Sequence, residues 1–206
     1  MLGRPRSDAK RQAILAAAEE VFLREGYLGT NMDLIAELAQ VSKPTVYRHF
    51  GNKEALFVGL VGEMTTAAGD QVPDSLPPAE TLDQLRDQLT AQAKAQLAVV
   101  LTPRILQIRR LVIGEVSRFP ELARVLHDAG PQRAIRTFTD IFRTADADGL
   151  LNVPDPGVAA RQFNWLVMGD PVNSAMLLGD DAIPSRRKLA THARQAAELI
   201  VAGYRR

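Results

Sequence analysis

The stretch GYLGTNMDLIAELAQVSKPTVYRHFGNK, residues 26–53, decides the reading of this chain. It divides into two short helices around a tight turn. Leu34, Ile35, Leu38 and Val41 recur at intervals of three and four, so they share one face of the first helix. Thr30 precedes that run with Asp33 three positions on, the spacing of a capping box with Asp in place of Glu. Ser42 is placed to cap the second helix. Pro44 has no N–H, so the cap bond must go to Thr45, and a first-turn proline is harmless because those amides lack helical partners. Val46 and Phe50, four apart, point inward, leaving Thr45, Tyr47, Arg48 and His49 to share the outer surface.

A helix so short and so rich in donors makes a poor core element and a good reader of a DNA major groove. Lys43 and Arg48 have donors for guanine or phosphate, and Thr45 offers a hydroxyl and a methyl to base edges. Tyr47 reads either as a half-buried packing residue or as a backbone contact. Lys53 reads either as a solvated charge or as an anion contact at a helix start, where free amides already favour negative charge. His49 fits a polar residue bonded to phosphate or backbone better than a catalytic or metal role.

From about Ala9 to Val61 the sequence resembles the TetR/AcrR family of bacterial transcription regulators. The residues that carry the likeness are Phe22, Gly26-Tyr27, Thr30, Ile35-Ala36, Ala39, Val41-Ser42-Lys43, Thr45 to Phe50 and Asn52 to Leu56. Two positions depart from the family pattern: Gln40 stands where the turn normally has glycine, and Pro44 where glycine is common. A left-handed conformation at residue 40 would cost roughly 1–2 kcal/mol without glycine. The resemblance implies an all-α chain with an N-terminal three-helix helix-turn-helix domain and a larger C-terminal helical domain for ligand binding and dimerisation. It further implies phosphate contacts from Tyr47 and Lys53, a small effector held among the C-terminal helices, and a four-helix bundle formed by the last two helices of each of two protomers. The DNA-contacting candidates are Arg4, Arg6, Thr30, Ser42, Lys43, Thr45, Tyr47, Arg48, His49 and Lys53.

Composition adds little by itself. A chain of 206 residues with 46% hydrophobic content suits one large or two small domains with a sizeable core. No cysteine is present, which removes disulfides and thiolate metal sites and fits a reducing, cytoplasmic setting. No apolar run reaches membrane-spanning length, so no membrane role is expected. The formal net charge is only +1, so whole-chain electrostatics do not mark a nucleic-acid binder. Local clustering does: Arg4, Arg6, Lys10 and Arg11 face only Asp8 in the first dozen residues, a basic arm or a solvated tail.

Gly26 stops a first helix over 8–25, and Asn52 caps another over 53–68. The breaker-rich 69–79 then closes the DNA-binding unit. The expected division is 1–53 with a connecting helix 53–68, followed by a regulatory and dimerisation domain over 69–206. Further helices are expected at about 80–101, 103–118, 120–128, 131–147, 156–178 and 185–204. Candidate effector contacts are Leu106, Arg110, Ile113, Phe138, Phe142, Phe163, Trp165 and Met168, each of which also suits a plain core. Phe163, Val167, Met176, Leu189, His192, Ala196 and Ile200 are the candidates for the dimer seam, with burial against the chain's own helices as the other reading.

The function expected is a repressor that binds an operator as a homodimer and is released by a small, mainly apolar effector of unknown identity. A DNA-binding dimer without an effector is the alternative. An enzyme is the contrasting class: His49, His127 and His192 lie in separate segments, outside any zinc or nucleophile motif, and no glycine-rich phosphate loop is present. No catalytic residue, metal or cofactor is assigned.

Overall fold

The computed structural model describes residues 4–206, with side chains from Ser7 onward. The chain is all-α. Ten helices follow in order among the described residues: α1 (Arg4–Gly29), α2 (Met32–Leu38), α3 (Lys43–Phe50), α4 (Lys53–Gly69), α5 (Leu82–Val100), α6 (Pro103–Glu115), α7 (Pro120–Ala129), α8 (Pro131–Ala147), α9 (Pro156–Leu178) and α10 (Arg186–Gly203). Proline occupies the first position of α6, α7, α8 and α9, where a missing N–H costs nothing. Side-chain caps fix other starts: Asn52 Oδ1 accepts from the Ala55 amide at 2.7 Å, and Asp155 Oδ1 from the Val158 amide at 2.9 Å. Within α1 the helical path breaks at Gly26, whose φ of 70° lies in the left-handed region that glycine tolerates.

The chain divides into two compact units. The first comprises Met1–Thr65 and Gln107–Leu126, and the second Thr66–Leu106 and His127–Arg206. In the first, Ile14, Ala18, Val21 and Phe22 of α1 share a core with Leu56, Phe57, Leu60 and Val61 of α4. The sequence reading assigned residues 107–126 to the C-terminal domain. Ile108, Val112 and Leu122 instead belong to the core of the first unit, so the division is not a single cut along the chain.

The second unit packs α5, α8, α9 and α10. Leu85, Leu89, Ala93 and Leu97 form the apolar stripe of α5, and Phe138 meets Phe163 edge-on at 4.8 Å between centroids. α9 runs on through Pro171, which has no N–H to give to the carbonyl four residues back, that of Val167. His192 of α10 takes that place, its Nε2 lying 2.9 Å from the Val167 oxygen. This bond requires the tautomer with the proton on Nε2.

Candidate nucleic-acid interface

The two short helices form as α2 and α3, but the details of the turn differ from the sequence expectation. α2 is capped by Asn31, whose Oδ1 accepts from the Asp33 amide at 2.8 Å. Thr30 is buried, and its hydroxyl donates to the Gly26 carbonyl at 2.6 Å. That bond satisfies a carbonyl at the break in α1, so Thr30 closes the α1–α2 corner. Leu38 is exposed, and the inner face of α2 is carried by Met32, Ile35 and Ala36.

α2 ends in a Schellman motif. The Val41 amide donates to Ala36 O and the Gln40 amide to Glu37 O, both at 3.0 Å. Gln40 takes φ 52°, the left-handed conformation expected of a glycine at this place. The motif forms without glycine because both bonds and the packing of Val41 hold it.

Ser42 stands at the N-cap of α3 in extended conformation, yet its side chain does not cap. The Thr45 amide donates to the Ser42 backbone carbonyl at 2.8 Å, and the two hydroxyls lie 2.9 Å apart. Thr45 is buried with Val46, which removes it from the outer surface. Lys43, Pro44, Tyr47 and Arg48 form the exposed stripe, at the i, i+4 spacing of one helix face. His49 is half-buried beside Phe50, and Phe50 packs against the core of the unit. Arg11 lies over the Phe50 ring and pairs with Glu63 at 2.9 Å, so it is held against the unit.

Two lysines have internal partners. Lys43 Nζ pairs with Asp33 at 2.8 Å, and this hydrogen bond holds its ammonium above the usual lysine range. Lys53 Nζ donates to the carbonyls of Thr30 and Leu28 at 3.0 and 3.3 Å and sits 4.8 Å from the centre of the Tyr27 ring. Partial burial lowers its pKa. Lys53 therefore ties the start of α4 to the α1–α2 corner. Tyr27, which the sequence reading left without a role, stacks between Phe22, Phe57 and Phe119 and forms the floor of this anchor. Arg4 and Arg6 lie outside the described residues as far as their side chains are concerned.

The other candidates divide between the two units. Of the proposed effector contacts, Leu106, Phe138, Phe142, Phe163 and Met168 are buried in the core of the second unit. Trp165 is 70% exposed, Ile113 is exposed on α6, and Arg110 is half-buried in the first unit. These residues do not converge on one pocket. Clefts in the second unit lie elsewhere: one of about 110 Å³ is bordered by residues 74–79, α5, α8 and Leu150, and a shallower, more open one of about 430 Å³ lies at the start of α10 beside Arg187, Lys188 and His192. The dimer-seam candidates Phe163, Val167, Leu189, Ala196 and Ile200 are covered by the chain's own helices, and Met176 and His192 are half-buried. The sequence reading placed the apolar stripe correctly on α9 and α10 and took its inner face for the outer one. The exposed apolar residues on these helices are Trp165, Leu177, Leu178 and Leu199.

Residues 14–60 match the family model for bacterial regulatory proteins of the tetR family, and residues 87–206 match that of the AefR-like transcriptional repressor C-terminal domain. The regulator YhgD of Bacillus subtilis is 43% identical over 72 residues, covering 33% of this chain and 38% of that protein. YdeS from the same organism is 35% identical over 112 residues, 54% of this chain and 52% of that one. The chain thus spans about half or less of the length of these curated relatives. A TetR-family regulator from Mesorhizobium loti superposes with a TM-score of 0.83 at 29% identity, covering 98% of this chain and 99% of that one. The flavonoid-responsive regulator FrrA superposes with a TM-score of 0.78 at 29% identity, covering 95% and 97%. Among the described residues no helix is long and apolar enough to cross a membrane. A helix-turn-helix unit joined to a second helical unit, both matched by the family's own models, makes this chain a member of the TetR family of DNA-binding transcriptional regulators.

Proposed function

We propose that the chain is a repressor that binds an operator as a homodimer and is released by a small effector bound in the second unit. The observation that carries the DNA-reading part is the exposed stripe of Lys43, Tyr47 and Arg48 on an eight-residue helix fixed by the Schellman turn before it. Arg48 is the base-reading residue, since its fork suits guanine. Tyr47 and Lys43 take phosphates, and Lys43 exchanges Asp33 for the phosphate on binding. Thr30, Thr45 and Lys53 act indirectly, by holding the corner and the turn.

Dimerisation is supported by Trp165, Leu177, Leu178 and Leu199, large apolar side chains exposed on two neighbouring helices. A two-fold dimer also matches the geometry of operators with half-sites one helical turn apart. The repressor reading is supported by the match to a repressor C-terminal domain, and the effector reading by a flavonoid-responsive structural neighbour. To release DNA, the effector must bind more tightly to the DNA-incompetent state.

The test begins with operator recovery from genomic fragments, followed by fluorescence anisotropy with the recovered duplex. Arg48→Ala should weaken specific binding by about 1–3 kcal/mol per half-site while leaving nonspecific binding nearly unchanged. Equal operator affinity for wild type and variant would refute the assignment of α3.

A further inference from the structure

The segment between α4 and α5 is tied across the second unit as a strap. From α5, Gln88 Nε2 donates to Pro77 O at 3.0 Å and Gln92 Nε2 donates to Pro73 O at 2.5 Å. From α8, Arg133 donates through Nε and Nη2 to the two oxygens of Asp74 at 2.7 and 2.6 Å, and through Nη1 to Asp70 at 2.8 Å. The Arg133 guanidinium holds the Asp74 carboxyl below the usual carboxylate range. A bidentate pair of this kind fixes orientation as well as position. Gly69 is part of the fitting, since a Cβ there would lie 2.6 Å from Arg133 Nη1. Pro73, Pro77 and Pro78 stiffen the strap between its ties.

Beneath the strap lies the cleft of about 110 Å³. Leu76 of the strap, Leu85 of α5, and Ile141 and Leu150 give it apolar walls, with the hydroxyl-bearing Thr137 and Thr144 of α8 among them. No lysine or arginine borders it. Its two acids are held by arginines of α8, Asp74 by Arg133 and Asp140 by Arg143. The walls therefore present neither an unpaired cation for an anionic ligand nor an unpaired acid for a cationic one. An apolar cavity of roughly 150 Å³ holds one benzene ring. This cleft is somewhat smaller and open at its mouth, so it has room for no more than one ring.

We propose that this cleft, and not the aromatic cluster around Phe163, is the effector site, and that its ligand is a neutral, single-ring compound bearing a hydroxyl. The inference rests on the effector reading above and adds the place and the chemistry. The apolar walls hold the ring, and the strap with its Arg133 tie closes over it. The Thr144 hydroxyl meets the polar group, with Thr137 left to accept, since its own proton goes to the Arg133 carbonyl at 3.3 Å. Phe138, Phe142 and Phe163 are left as core, since their rings already fill the space between α8 and α9.

The test uses the full chain, with phenol and benzoate as probes in a protein-observed NMR titration. Phenol should shift the resonances of residues 76–79, Leu85 and Thr144 in a saturable way, and benzoate should not. Ala145→Leu fills the cleft from α8, and Ser75→Trp fills its mouth from the exposed strap without touching the core. Each should weaken phenol binding at least tenfold. Phenol bound equally by wild type and both variants would overturn the site, and phenol bound by none of them would overturn the ligand class. Operator anisotropy with saturating phenol separates this inference from the reading on which it rests. Binding lost in both variants, with operator affinity unaffected in wild type, would uphold the cleft and refute its coupling to DNA.

Discussion

Lys53→Met tests whether the charge at the start of α4 faces inward or toward DNA. The methionine keeps an apolar stem over Tyr27 and deletes the ammonium. Removing it breaks the bonds to Thr30 O at 3.0 Å and Leu28 O at 3.3 Å and the cation–π contact at 4.8 Å. A hydrogen bond from a charged group contributes about 1.5–3 kcal/mol when buried. The bond to Leu28 O is exposed and long, and that to Thr30 O is partly buried, so the pair together contributes about 2 kcal/mol. The ring contact adds about 0.5–1 kcal/mol. Relief of the ammonium's desolvation, the cause of its lowered pKa, offsets part of this loss. The net loss is about 2 kcal/mol, roughly a 30-fold shift in the folding equilibrium. Urea denaturation followed by circular dichroism reads this directly. The salt dependence of operator binding is the second measurement. A lysine that neutralises a phosphate would take about 0.9 from the slope when removed, whereas an internal anchor leaves the slope unchanged. Stability within 0.5 kcal/mol of wild type together with a flatter slope would refute the anchor and restore Lys53 to the backbone contacts.

Gln40→Gly relieves the left-handed strain at the end of α2, offset in part by the entropy of glycine. It should raise stability by about 0.5–1 kcal/mol in the same urea assay, and a loss would mean that the Gln40 side chain makes a contact worth more than the strain. His192 and Pro171 should be coupled through the Val167 carbonyl. His192→Ala should cost about 1 kcal/mol in wild type and much less in the Pro171→Ala background, where a backbone amide can reach that oxygen. Additive losses in the double-mutant cycle would show that the bond contributes nothing. Trp165→Glu and Leu177→Glu place charges on the exposed faces of α9 and the end of the helix. Sedimentation should show folded monomers, and a stable dimer in both variants would put the interface elsewhere.

Much of this protein was legible in its sequence because the signals involved are local. Helical periodicity, prolines at helix starts, Asn52 as a cap and the run from Val41 to Phe50 depend on neighbours within one turn, and they led to an all-α chain with a helix-turn-helix unit. The strain at Gln40 was legible too, since only a glycine would have avoided it. Other features belonged to the tertiary structure. Periodicity marks the apolar stripe of α9 and α10 but does not say which residues are covered by the chain's own helices. Phe163 and Val167 are therefore core, while Trp165 and Leu177 remain outside. The role of Lys53 depends on two carbonyls more than twenty residues earlier, and that of His192 on a carbonyl freed by a proline in another helix. The cleft under the strap brings residues 74–88 against residues 137–150, which are far away in sequence. A single chain's pattern encodes which residues prefer to be buried; which partner buries them, and which polar atom meets which, is decided only when the helices pack.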